Sequence, residues 1–483
     1  MVTADRNDSG DPGSGLSHAR NISFLAVAEL TGKVAAFVMF AVAARLLGPS
    51  DFGQFSWSMN LALLLSTVAI WGFDIALIQM AGKAPGRLNE LLSNTLAIRL
   101  LLAPVILASA ILLTTISRQN VLVGVALTLV VIADALTQGY RAGAAVLQRQ
   151  GEIAINLVVQ RVLTAGLAIG ALVAGGGLIG MSVAYLFGAV VGLSVLAWSG
   201  RRIGLAPSRR HVSRSGMVEL VRGSTALGVN YTLNLATFRV GILMLGWLTT
   251  DAEVGVYSVS YRIFEALLFV VWSVDRVALP AMTASTGDEP VRRGVHRGAT
   301  VVFAVFVPYV VILLLRGEEI LALAFGSPYD TESFPSTQLL ALALLPYAAK
   351  YLLDLGLYAR DRNRLVTAAA AISLTINVAL GFALIPGLGS VGAAWATLIS
   401  FVVQAAVVWL GLYRLVGSPR LLHAAVVPAL ATAACAPALI SGLTLVPAMA
   451  ICAIAYPLGW LAAARVLDRT AFDLARQLLT RSQ

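Results

Sequence analysis

Hydropathy divides this chain into about fourteen apolar stretches, each long enough to cross a bilayer. A spanning helix needs about 20 mostly apolar residues. Lipid offers no partner for a bare N–H or C=O, so such stretches close their hydrogen bonds internally as helices. The expected spans are 22–44, 54–79, 91–115, 121–146, 153–174, 178–198, 219–248, 254–281, 298–315, 337–357, 365–385, 391–413, 421–443 and 445–466. Composition agrees: 58% of residues are apolar and 12% charged, against about 25% charged in soluble domains. The expected fold is an all-α polytopic membrane protein with its core inside a helix bundle.

Charge in the connections orients the spans. Taking alternate connections together, one side of the membrane collects 23 Lys and Arg and the other only Arg45, Arg118 and Arg316. Cytoplasmic loops carry the excess of basic residues, so both termini are expected in the cytoplasm of a cell-membrane protein, which requires an even number of spans. The net charge of +10 is thus a topology signal and not a nucleic-acid footprint. Residues 1–20 are polar and rich in Gly, Ser and Asp, and are expected to be a disordered tail. They lack the short apolar core of a cleaved leader. Residues 468–483 place Phe472, Ala475, Leu478 and Leu479 on one helical face, as an interfacial helix would. A frayed tail is the alternative. The longest outer connection, 316–336, is acidic, expected as a solvated loop, and too short for a catalytic domain.

The chain also resembles itself. LLGPSDFGQFSWS (46–58) and LTTDAEVGVYSVS (248–260) align at an offset of 202, pairing Leu46, Gly53, Ser56 and Ser58 with Leu248, Gly255, Ser258 and Ser260. IGMSVA (179–184) and VGAAWA (391–396) align at 212, and LQR (147–149) and YAR (358–360) at 211. Matches in one register indicate a duplicated six-helix unit. The expected organisation is a lobe over 21–198, a basic linker over 199–218, a second lobe over 219–414 and two further spans over 415–467. The lobes are expected to be related by an axis along the membrane normal, because six is even.

Function is sought in the charges that sit inside apolar segments. Lys33, Arg99, Arg161, Arg239, Arg262 and Lys350 all fall well within spans. A cation at mid-bilayer costs at least ~2.5–3.5 kcal/mol, so these residues are expected to face a water-filled cavity or an ion partner. Several together point to a path for something anionic. Glu29 and Lys33, and Lys350 and Asp354, are spaced i, i+4; Arg262 and Glu265 are spaced i, i+3. Such pairs also lower the insertion cost without any further role. Arg99, Arg161 and Arg239 have no such neighbour, and Asp74, Asp134 and Asp275 are their candidate interhelical partners. Asn60, Asn94, Asn230, Asn234 and Gln404 offer amide contacts or interhelical glue. No P-loop is present, the two cysteines lie in apolar segments, and the four histidines lack ligand spacing. No nucleotide motor, metal site, cofactor or catalytic residue is therefore expected.

The segments ARLLGPSDFGQFSWSMNLALLLSTVAIWGFDIALIQ (44–79), EVGVYSVSYRIFEALLFVVWSVDRVALPAM (253–282) and GLGSVGAAWATLIS (387–400) resemble, in order, the polysaccharide transporter family. This family includes the Wzx-type flippases, within the multidrug/oligosaccharidyl-lipid/polysaccharide exporter superfamily. The resemblance implies two six-helix lobes around a central cavity plus two C-terminal helices. It implies movement of an isoprenoid pyrophosphate-linked glycan from inner to outer leaflet by alternating access, with membrane lipids and a polysaccharide polymerase or other assembly proteins as partners. Arg suits a pyrophosphate through bidentate hydrogen bonds and a permanent charge. With no nucleotide site, a proton or Na⁺ gradient is the expected driving force, and Glu265, Glu29 and Asp354 are the coupling candidates. The lipid II flippases are the nearest alternative. They are similar in the Arg262/Glu265 spacing and in a cation at Lys33, but they carry a mid-helix Arg-Asp pair where this chain has Met39-Phe40. A drug/cation antiporter fits less well, since cations outnumber carboxylates in the spans. A membrane-embedded glycan polymerase would call for a larger extramembrane loop.

Overall fold

A computed structural model of the chain describes residues 12–284 and 287–467. The described residues are helical throughout, with no strand among them. The helices are α1 (Pro12–Ile70), α2 (Phe73–Lys83), α3 (Leu88–Ile116), α4 (Val121–Val146), α5 (Gln150–Val173), α6 (Gly177–Arg202), α7 (Arg214–Leu248), α8 (Asp251–Glu265), α9 (Leu268–Thr283), α10 (Asp288–Phe325), α11 (Tyr329–Glu332), α12 (Phe334–Tyr358), α13 (Asn363–Val416), α14 (Leu421–Ala433), α15 (Ala436–Ile440) and α16 (Leu445–Leu467). Of the expected polar tail, residues 1–11 lie outside the described residues, and 12–20 form the start of α1. The expected interfacial helix 468–483 lies outside them entirely.

Eleven helical segments are long and apolar enough to cross a membrane, two of them joining successive helices, Val27–Lys83 through α1 and α2 and Asp251–Thr283 through α8 and α9. Two of the eleven each hold two expected spans. α1 kinks at Gly48 (φ 74°), next to Pro49. α13 kinks at Gly389 (φ 53°), three residues after Pro386. Positive φ suits Gly, and Pro removes a helical hydrogen bond, so chain direction changes there without loss of the helical pattern on either side. The thirteenth expected span is built from α14 and α15 in series, which accounts for fourteen in all. Residues 316–336 are a correction. Instead of a solvated loop, α10 bends at Arg316 (φ −130°) and runs on to Phe325, burying Gly317, Leu321 and Phe325. The acidic residues suggested a solvated loop, but Arg316 pairs with Glu319 one turn on, and Leu321 and Phe325 pack inward.

The chain forms two compact units. The first comprises the described residues up to Leu46 together with Leu61–Tyr231; the second comprises Leu47–Asn60 and the described residues from Thr232 on. In the first, α5 packs on α6, α4 on α6 and α3 on α4. Its core gathers Phe73, Leu77, Leu91, Leu92, Leu205 and Leu220. In the second, α12 packs on α13 and α10, and α10 on α14. Phe238, Phe264, Tyr347 and Phe401 meet there at centroid distances of 5.4–6.4 Å. Outward faces stay apolar, as at Leu101, Val105 and Leu112 of α3. Lipid, not water, is the solvent such faces require.

Within the second unit, residues 47–60 cross the start of α8 at van der Waals limits. A Cβ at Gly53 would lie 1.8 Å from the Asp251 carbonyl oxygen, and one at Gly255 would lie 2.1 Å from that of Pro49. Adding the repeat offset of 202 turns Pro49 into 251 and Gly53 into 255. The two contacts are therefore one contact made twice, as across a two-fold axis. The packing at this crossing follows the offset of 202 seen in the sequence.

Candidate functional site

In the second unit α7 carries Arg239, and the last turn of α8 carries Arg262 and Glu265. Glu265 bridges both cations: its Oε1 lies 2.9 Å from an Arg239 nitrogen and its Oε2 3.1 Å from one of Arg262. Arg239 also donates to Asn60 Oδ1 at 3.1 Å. α8 ends at Glu265, where the chain breaks before α9. A helix C-terminus favours a nearby cation, so Arg262 is stabilised there as well. Two guanidiniums share one carboxylate. The three side chains retain 14–21% of their exposure, so water or a ligand reaches them.

Lys350 and Asp354 of α12 are different. They pair at 3.1 Å with 5% and 6% exposure, and Lys350 Nζ donates to Asn234 Oδ1 at 3.3 Å. This cluster is neutral and closed. Beside it Tyr351 donates to Asp275 at 3.1 Å.

In the first unit Arg99 is 1% exposed and fully engaged. It meets Asp74 at 2.8 Å and donates to the carbonyls of Ala69 at 3.1 Å and Ala135 at 2.6 Å. The break between α1 and α2 explains this. The last carbonyls of α1 have lost their helical partners, and Arg99 serves that of Ala69, while Asp74 sits in the first turn of α2, where a negative charge is favoured. Of the three carboxylates named from sequence, Asp74 is the partner Arg99 takes. Arg161 is exposed on α5, and among the described residues no hydrogen bond or ion pair holds it. It lines a small pocket with Asp134, Gln160, Thr164 and Tyr185. On α1, Lys33 is exposed and Glu29 half-buried.

Arg141 was counted from sequence among the loop charges, yet it lies inside α4. It donates to Asn156 Oδ1 at 2.9 Å and to Gln160 Oε1 at 2.7 Å, and Gln160 donates to Asp134 at 2.5 Å. The available signal was Asp134 seven residues earlier, two helical turns back on the same face. Asn94, a candidate for substrate contact, is occupied by backbone groups at His211 and Ser213.

Residues 18–285, more than half of the chain, match the sequence model of the family described as polysaccharide biosynthesis protein. The chain belongs to this family. Among curated relatives, the probable low-salt glycan biosynthesis flippase of Haloferax volcanii is 25% identical over 80% of this chain and 81% of its own length. The probable flippase AglR of the same organism is 28% identical over 33% of this chain, and the match spans only 34% of that relative. Among solved structures, the lipid II flippase MurJ in an inward closed conformation superposes with a TM-score of 0.72, at 11% identity, over 91% of this chain and 98% of that one. A eukaryotic MATE transporter follows at 0.56 and 16% identity, covering 85% and 98%. The chain therefore shares the fold of these transporters and is a multi-pass membrane protein.

Proposed function

We propose that the protein is a secondary transporter, not an enzyme, that flips an isoprenoid (pyro)phosphate-linked oligosaccharide from the inner to the outer leaflet of the cytoplasmic membrane by alternating access. Family membership and relatives named as glycan flippases support the class. The observation that carries the chemistry is the Arg239–Glu265–Arg262 cluster, in which two guanidiniums share one carboxylate and stay partly exposed within an apolar bundle. A pyrophosphate satisfies two guanidiniums better than one carboxylate does, because it offers more oxygens and more charge. Its arrival releases Glu265 to take a proton or Na⁺, which couples anion binding to an ion gradient. Glu29 and Asp354 are the remaining coupling candidates; Asp354 is the weaker, since Lys350 already neutralises it. Arg161 and Lys33, both exposed, are the further substrate contacts on this reading, whereas Arg99 and Lys350 hold the fold.

Transport in vesicles tests the reading. Isoprenoid pyrophosphate-linked oligosaccharide is expected to reach the outer leaflet, and lipid II to do so at least tenfold more slowly. Arg239→Ala and Arg262→Ala are each expected to lower the rate at least a hundredfold while the protein stays folded in the membrane. Glu265→Gln is expected to leave a slow rate that no longer responds to an imposed pH or Na⁺ gradient. A Glu265→Gln protein with unchanged gradient response removes the coupling assignment. Wild-type activity in both Arg variants removes the site.

A further inference from the structure

The connection from α6 to α7 was expected to be a linker; it is a pinned strap. Asn89 donates to the Gly204 carbonyl at 3.1 Å and accepts from the Ala206 N–H at 2.9 Å. Ser93 accepts from the Ser208 N–H at 3.0 Å. Asn94 donates to the His211 carbonyl at 3.2 Å and accepts from the Ser213 N–H at 2.9 Å. Leu205 is fully buried against the core of the first unit. Three polar side chains at the start of α3 thus hold the strap's backbone in place.

Its charged side chains point the other way. Arg201, Arg202, Arg209, Arg210 and Arg214 are all exposed. No ion pair holds any of the five among the described residues. The acids nearest along α3 and α7, Glu90 and Glu219, are both taken by Arg87 at 3.0 and 2.8 Å. Five cations lie at one end of two spanning helices, with no acidic side chain among the described residues paired to them.

The residues between these cations indicate what does. Trp198 is 58% exposed, and the Arg202 guanidinium lies over its ring at 3.6 Å from the centroid. Exposed indoles mark the headgroup level of a bilayer. Val212, Val218 and Val221 are exposed among the arginines. Arg214, Ser215, Val218, Glu219 and Arg222 line one shallow, open face at the start of α7. Basic residues interleaved with exposed apolar ones suit a headgroup–acyl boundary, whereas an acidic protein or a soluble anion would leave the valines in water.

We propose that the strap 201–214, with Arg222, is a binding surface for the phosphate groups of anionic phospholipids in the leaflet it faces. This goes beyond the transport reading and does not depend on it. The purified full chain, in neutral detergent, is titrated with short-chain phosphatidylglycerol, with short-chain phosphatidylcholine and with inorganic pyrophosphate. Phosphatidylglycerol is expected to bind at least tenfold more tightly than phosphatidylcholine, and the preference should shrink as salt rises. Each Arg near an anionic surface contributes about fivefold. Replacing Arg209, Arg210 and Arg214 together by Gln is therefore expected to cost at least tenfold, while Lys at the same positions keeps most of the affinity. Asn94→Ala leaves every charge in place but unpins the strap, and is expected to weaken binding as well. Equal affinity for the two lipids, a Gln variant with wild-type affinity, or pyrophosphate binding as tightly as phosphatidylglycerol would overturn the proposal. Loss of glycan transport with intact lipid binding would count against the transport reading alone.

Discussion

At the scale of single residues, a cation in a span has two fates, and burial separates them. Arg99 meets a carboxylate and two carbonyls and is sealed from solvent. Removing one partner of a buried pair strands the other, at about 3–5 kcal/mol. Arg99→Ala is thus expected to lower stability by roughly that amount and to spare substrate affinity in whatever protein folds, as read by thermal unfolding and binding in detergent. Arg239 and Arg262 are expected to show the reverse, with folding retained and transport lost. Sequence spacing correctly placed Lys350 with Asp354 and Arg262 with Glu265, because an i, i+3 or i, i+4 pair is set by helix geometry alone. It did not show that Arg239 joins Glu265, since that contact spans two helices.

At the scale of elements, the crossing of residues 47–60 with α8 is where the duplication acquires mechanical meaning. Gly53 and Gly255 admit a neighbouring carbonyl to a distance no Cβ allows. Beyond them, the hydroxyls of Ser56 and Ser258, again 202 residues apart, are buried without a hydrogen-bond partner. Small residues here permit close backbone approach, as in membrane helix interfaces generally. Gly53→Val and Gly255→Val are expected to destabilise by similar amounts, of order 1–3 kcal/mol or more, because they disrupt equivalent halves of one contact. Unfolding midpoints of the two variants in detergent check this; a large effect at one position alone would refute the symmetry. The helix breaks were partly legible. Pro49 and Pro386 are visible signals beside Gly48 and Gly389. The break at Trp71-Gly72 has no proline, and its need for Arg99 as a splint appears only in the folded chain.

At the scale of the whole molecule, the expected orientation rests on 23 basic residues against three, or 22 once Arg141 is taken into α4. Reporter fusions after Gly177 and Ser327 are expected to report the outside, and those after Arg210 the inside. A cytoplasmic signal at Ser327 would defeat the fourteen-span arrangement. Continuity of α10 through residue 325 does not alter this expectation, because a helix that extends past the hydrocarbon keeps its end on the same side.

The amino-acid sequence by itself determined that this chain is a helical membrane protein of the polysaccharide biosynthesis family, and it carries the internal match at an offset of 202. Hydropathy, loop charge and short-range spacing are local properties, and lipid enforces them segment by segment. Only the tertiary structure decided which cations are spent on the fold. Arg99 and Arg239 look alike along the chain, each a lone Arg in an apolar span. Asp74 and the carbonyls of Ala69 and Ala135 close around the first, whereas the second shares Glu265 with another Arg. The difference lies in which distant helices pack together, and no local pattern carries that information.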